Sequence, residues 1–226
     1  MAGAWAVLVA AGRGERLGED RPKAFTRLGE LPLLAEPMRR LDESDAVDGI
    51  VVVAPPGWEE PTILLAEQIG ASKVSACVAG GASRAESVQA GLGEVPADAA
   101  VVLVHDAARP ILPPEVVERL LAALGEGFDG AVPGLPVSDT VKRTAGGVVV
   151  ETLARDDLVA VQTPQAFVAS VLRAAFAASD DWSRATDCAS LVEAAGGRVK
   201  VVSGDERLLK VTTPADLARV EGFLDG

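Results

Sequence analysis

Apolar and polar positions along the chain alternate between short β-branched runs and longer stretches of helical period. Valine-rich runs cover residues 5–10, 50–54, 74–79, 100–105, 130–137 and 199–203. Runs this short, apolar almost throughout, predict strands buried on both faces. Helical patterns lie between and after them, over 33–42, 58–69, 84–92, 114–124, 166–178, 185–195 and 214–223. Two helix starts are marked: Ser83 stands three residues before Glu86, as in a capping box, and Thr213 directly precedes Pro214. Strands separated by helix-length segments make βαβ units, so the expected fold is α/β with a doubly wound, mostly parallel sheet. Ligands of such sheets bind outside the carboxyl ends of the strands.

The alternation breaks once. Residues 140–143 and 148–152 read as two short strands around Thr144-Ala145-Gly146-Gly147, a hairpin with glycines for positive φ. An isolated two-stranded hairpin is marginal in water and needs a surface to lean on. The expectation is a protruding β-arm, residues 138–157, that clasps a second subunit in a homodimer. There is no internal repeat, low-complexity tract or linker, and the 226 residues are expected to form one domain, 1–226.

Composition then narrows the core and the partners. With 49% apolar residues, 4% aromatic ones and no tyrosine, the core must be valine, leucine and alanine. A net charge of −12 argues against nucleic acid or an anionic membrane, since both need a basic footprint. The longest apolar run, residues 4–11, is far below the roughly 20 residues that span a bilayer. No basic stretch precedes it, and a soluble, cytoplasmic protein is expected. Cys77 and Cys188 are too few and too far apart for a disulfide framework or a metal knuckle, and read as two buried thiols.

Candidate chemistry gathers where strands end. After the first strand, Gly12, Gly14 and Gly18 alternate with Arg13, Arg16, Arg21 and Lys23. Glycines let backbone N–H groups approach an anion, and the cations supply charge for phosphates. The glycine spacing is near a dinucleotide fingerprint, but Pro22 follows where a helix should begin, so the stretch reads as a basic loop around a triphosphate, with Arg16 and Lys23 as its principal cations. A second glycine turn, Gly80-Gly81-Ala82-Ser83, leads into a helix. It supports two readings: N–H groups and the Ser87 hydroxyl reading a base edge, or an ordinary capped helix start. His105-Asp106-Ala107-Ala108-Arg109 closes the fourth run. Asp106 is placed to hold Mg²⁺ against phosphate oxygens and Arg109 to clamp a phosphate, while His105 reads as a packed strand-end residue. Asp139, Thr140, Lys142 and Arg155 on the hairpin, Thr186 and Asp187 before a helix, and Lys210 are further polar positions.

Taken in order, AAGRGERL with Pro22-Lys23, GGASRAESVQAGL, VHDAARP, PVSDTVKR, TPQAF, ATDCASLVEAAG and LKVTTPADL resemble the 2-C-methyl-D-erythritol 4-phosphate cytidylyltransferase family, nearly end to end. The resemblance implies transfer of CMP from CTP to a sugar-alcohol phosphate, methylerythritol phosphate, with release of pyrophosphate, a Mg²⁺ cofactor, and a homodimer with interlocked arms. It places the CTP phosphates on Gly12, Gly14, Arg16 and Lys23, and cytosine on the backbone of Ala10, Ala11, Gly81 and Ala82 with the Ser87 side chain. It places the metal on Asp106, Lys210 near the α-phosphate, and the acceptor on Arg109, Asp139, Thr140 and Thr186 with Arg155 of the partner subunit. The implied reaction is in-line attack on the α-phosphorus, served by positioning and electrostatics without a covalent intermediate. The chain departs from the family pattern at Ala24, usually glutamine, at Ala82, often aspartate, and at Leu208, often asparagine. Rival readings are a ribitol-5-phosphate cytidylyltransferase, which would share nearly every motif, a nicotinamide dehydrogenase, against which Pro22-Lys23 argues, and a non-catalytic nucleotide-binding protein, which would be expected to lose Lys23, Asp106 or Lys210.

Overall fold

The computed structural model describes residues 3–12, 21–179, 182 and 185–224. It opens with β1 (Ala4–Val9), a 3₁₀ turn (Lys23–Phe25), a small hairpin of β2 (Arg27–Leu28) and β3 (Leu31–Pro32), and α1 (Ala35–Glu43). Three strand–helix units follow: β4 (Gly49–Ala54) with α2 (Glu59–Ile69), β5 (Val74–Ala79) with α3 (Arg84–Glu94), and β6 (Val101–Asp106) with α4 (Pro114–Gly125). Next come β7 (Gly130–Pro136), a hairpin of β8 (Lys142–Ala145) and β9 (Val148–Thr152), β10 (Val159–Val161) and β11 (Gln165–Val168). The last elements are α5 (Ala169–Ala177), α6 (Cys188–Ala194), β12 (Val199–Ser203) and α7 (Pro214–Leu224).

Among the described residues the main sheet has eight strands, in the order β10-β7-β11-β6-β1-β4-β5 with β12 also paired to β7. β4 and β6 flank β1 in parallel, β5 extends β4 in parallel, and β12 runs parallel to β7. Alternate side chains of the central strands feed opposite layers. Ala6, Leu8, Ile50, Val52 and Leu103 pack with Met38, Leu65 and Leu120 of α1, α2 and α4. Val7, Val51, Val53, Val102 and Val104 pack with Val88, Leu172 and Val192 of α3, α5 and α6. Two covered faces explain why these strands read as continuous apolar runs.

The sheet corrects the expected pattern in one region. The helix expected over 166–178 starts only at Ala169, because Gln165–Val168 forms β11. This strand inserts antiparallel between β6 and β7, with Phe167 fully buried opposite Val102 and Gly130. Pairing on both edges outweighs the helical spacing of so short an apolar run. β10, antiparallel on β7, carries no alternation that the sequence could reveal. The helix expected over 185–195 is α6, whose first turn Asp187 caps by accepting from the Ser190 N–H.

The β8–β9 hairpin forms as expected, with both turn glycines at positive φ, 56° at Gly146 and 79° at Gly147. Its valines face outward: Val148 is 67%, Val149 54% and Val150 57% exposed. Cys188 is buried but Cys77 only half so, both are free, and burial pushes each thiol up to about 11. Among the described residues no helix is long and apolar enough to cross a membrane.

Candidate active site

The carboxyl ends of β1, β4, β5 and β6 open into a cleft of ≈ 820 Å³. Backbone hydrogen bonds splice its loops to the strands. Ala10 N–H donates to the Val53 carbonyl at 2.8 Å, Gly80 to Ala54 at 2.8 Å, Ala107 to Val9 at 2.9 Å, and Val211 to Ala108 at 2.8 Å. The last bond carries Lys210 to the end of β6 from far along the chain.

The second glycine turn is packed so closely that side chains would not fit. A Cβ on Gly80 would lie 2.2 Å from that of Ala11, and one on Gly81 would lie 2.4 Å from the Glu86 Cβ. Ser83 caps α3 as expected, its hydroxyl accepting from Glu86 N–H at 3.1 Å. The N–H groups that one reading left open for a base are already used within the loop. Gly81 donates to Ser87 Oγ at 3.1 Å and Ala82 to Glu86 Oε2 at 2.9 Å. Ser87 is buried and also donates to the Ser83 carbonyl.

At the end of β6, Asp106 is gripped from two sides. Arg84 Nε donates to Oδ1 at 2.9 Å and Lys210 Nζ to Oδ2 at 2.7 Å. Burial opposes ionisation of Asp106, but the two cations prevail and hold its carboxyl well below the usual carboxylate range. Asp106 is the one carboxylate among the described residues that line the cleft. Those residues contain no cluster of three potential metal ligands. A single carboxylate fits Mg²⁺, which takes one or two carboxylates and completes its octahedron with phosphate oxygens and water.

Behind the cleft, His105 is fully buried. Its Nε2 lies 2.9 Å from the Arg109 carbonyl, which can only accept, so Nε2 carries the proton. Nδ1 then accepts from Thr163 Oγ1 at 3.2 Å, and that same oxygen accepts from Asp106 N–H at 3.0 Å. Burial lowers the His105 pKa from 6.5 to about 4. A packed, neutral His105 accords with the strand-end reading. The Arg109 guanidinium does not line the cleft; it donates to the Leu208 carbonyl and lies near enough to Asp106 and Arg84 to interact with both charges.

One cleft thus gathers Ala10, Ala11, Gly12, Lys23, Gly81, Ala82, Ser87, Asp106 and Lys210 of the residues singled out by sequence. Gly14 and Arg16 lie outside the described residues. Arg109, Asp139, Thr140, Arg155 and Thr186 do not line the cleft. Asp139 and Thr140 are exposed at the foot of the hairpin, Arg155 donates to the Ser138 carbonyl, and Thr186 is exposed ahead of α6. Two cleft residues escaped the sequence reading. Arg84 is the long cation in the first turn of a helix that follows a strand-end glycine turn, which was signal enough, but the capping box already accounted for that stretch. Trp58 follows Pro55-Pro56-Gly57, which read only as a turn.

A mostly parallel doubly wound sheet, with cationic and glycine-containing segments meeting at its strand ends, defines an α/β protein of the nucleotide-binding class. The sequence profile described as 2-C-methyl-D-erythritol 4-phosphate cytidylyltransferase matches residues 4–226. This chain belongs to that family. It is 47% identical over 221 residues to a Nocardia farcinica protein of that name, covering 97% of this chain and 93% of the relative. A Rubrobacter xylanophilus relative of the same name is 42% identical over 228 residues, covering 99% and 96%. Among solved structures, the Thermus thermophilus enzyme of that name superposes with a TM-score of 0.79 at 33% identity, covering 97% of this chain and 98% of that one. A 4-diphosphocytidyl-2C-methyl-D-erythritol synthase superposes at 0.83 with 32% identity over the whole of both chains.

Proposed function

We propose that this chain transfers CMP from CTP to 2-C-methyl-D-erythritol 4-phosphate, giving 4-diphosphocytidyl-2-C-methyl-D-erythritol and pyrophosphate. The observation that carries the reading is the meeting of Lys23, Lys210, Arg84 and Asp106 in one strand-end cleft of a chain in this family. An acceptor phosphate oxygen forms a bond to the α-phosphorus of CTP. The bond to the bridging oxygen breaks, and its electron pair leaves with pyrophosphate. The nucleophile is already ionised near neutral pH, so the chain needs no general base, and its one histidine is packed away.

Lys23, Lys210 and Arg16 stabilise charge on the phosphate oxygens, and Ala10, Ala11, Gly12 and Gly14 hold the nucleotide, with Gly81, Ala82 and Ser87, whose donors are engaged within their own loop, meeting it through shape and carbonyl groups. Mg²⁺, when bound through Asp106, neutralises phosphate charge. Arg84 keeps Asp106 ionised and aimed.

The acceptor is held by Arg109, Asp139, Thr140 and Thr186 with Arg155 of a second copy. Asp139, Thr140 and Arg155 are exposed on or beside the arm and do not line the cleft of a single chain, which favours a site completed across a dimer. The exposed Val148, Val149 and Val150 of the arm supply an apolar surface for the contact, within the single domain 1–226. The reading is tested by pyrophosphate release from CTP with methylerythritol phosphate and, separately, ribitol 5-phosphate. Release with the first alone supports it; release with ribitol 5-phosphate alone, or with neither, overturns it.

A further inference from the structure

Trp58 belongs to none of the phosphate-handling motifs, yet it lines the cleft. Its indole meets the ring of Phe25, with centroids 4.5 Å apart and planes tilted by 42°. Phe25 is the last residue of the 3₁₀ turn that Lys23 begins. The turn is closed by Phe25 N–H donating to Pro22 O at 2.8 Å and Thr26 N–H to Lys23 O at 3.1 Å. Its middle residue, Ala24, is buried, with a methyl side chain and a carbonyl that accepts from Leu34 N–H at 3.0 Å.

The Trp58 backbone, in contrast, is fixed at the junction between β4 and α2. Its N–H donates to the Pro55 carbonyl at 2.9 Å, just beyond β4. Its carbonyl accepts from Thr62 N–H at 3.0 Å and from Thr62 Oγ1 at 2.7 Å, and Thr62 is fully buried. β4 pairs with β1, whose end forms another wall of the cleft.

We propose that Trp58 is a positioning residue for Lys23, bracing the Lys23–Phe25 turn through ring contact with Phe25 so that the lysine is held where the phosphates bind. This rests on the reading of Lys23 as a residue that stabilises charge in the reaction. An aromatic pair is suited to the task, because it has preferred geometry and few rotatable bonds. A catalytic charge displaced by an ångström loses much of its value.

The test is a double-mutant cycle on the full-length enzyme, with kcat and KM measured for CTP and for the acceptor. Trp58→Ala is expected to lower kcat about 10-fold, leaving the acceptor KM within about twofold, and Trp58→Phe to restore most of the loss. In a Lys23→Ala background, Trp58→Ala is expected to lower kcat by less than about twofold further, because the residue it positions is gone. Phe25→Leu, which removes the contact from the other side, should behave like Trp58→Ala in both backgrounds and serves as the readout if Trp58→Ala does not fold. Losses that multiply across the cycle, or no loss in either single variant, would overturn the proposal. If Lys23→Ala itself turns over near normally, it is instead the reading of Lys23 that fails.

Discussion

Asp106 carries a charge in a place that opposes charge, and the two cations on its oxygens explain how. Arg84 approaches from the start of α3 and Lys210 from the segment before α7, so one carboxylate ties together three distant parts of the chain. Removing Arg84 would leave Lys210 alone against the burial of Asp106. Arg84→Met is therefore expected to lower kcat by about 10-fold or more, with circular dichroism unchanged. Lys23→Ala is expected to lower kcat by about 100-fold or more, the scale of losing one preorganised charge at a transition state. His105 has a different signature. Its folded pKa of about 4 lies below the ordinary 6.5, so between those values the unfolded chain binds more protons than the folded one. Stability is fully present above pH 6.5 and falls as pH drops toward 4. This is the one histidine of the chain, and little else titrates between pH 7 and 5. The urea midpoint should fall across that window in the wild type, and fall less in His105→Gln.

At the scale of elements, legibility followed burial. β1, β4 and β6 could be read because both of their faces are covered, which leaves an apolar run with little polar interruption. β11 could not, since Ala166, Phe167 and Val168 form a strand only because β6 and β7 leave a gap for it, which is a tertiary fact. The hairpin could be read from Gly146 and Gly147, and the structure puts both at positive φ. Its three outward valines motivate a prediction for the arm. Val148→Asp with Val150→Asp, on one face of β9, is expected to shift sedimentation from a dimer to single 23.2 kDa chains. The acceptor KM should rise more than the CTP KM, as it should in Arg155→Ala, because the proposed acceptor site takes Arg155 from the partner. A double variant that still sediments as a dimer would move the interface elsewhere.

Over the whole molecule, a chain with a net charge of −12 handles an anionic nucleotide by concentrating cations locally. Lys23 and Lys210 were legible because each stood in a recognisable motif. That they share a cleft followed only from the family resemblance, since Lys210 reaches it through a backbone bond from Val211 to Ala108 that no local pattern encodes. The departures at Ala24 and Leu208 have physical counterparts here. Ala24 is buried in the turn that Trp58 braces, and Leu208 meets Arg109 through its carbonyl, which any residue provides. The central claim, that this cleft transfers CMP to methylerythritol phosphate, is tested most directly by following pyrophosphate release from CTP and Mg²⁺ with each of the two acceptors. The account predicts multiple turnovers with 2-C-methyl-D-erythritol 4-phosphate and no release above background with ribitol 5-phosphate. Release with ribitol 5-phosphate alone, or with neither acceptor, would contradict it.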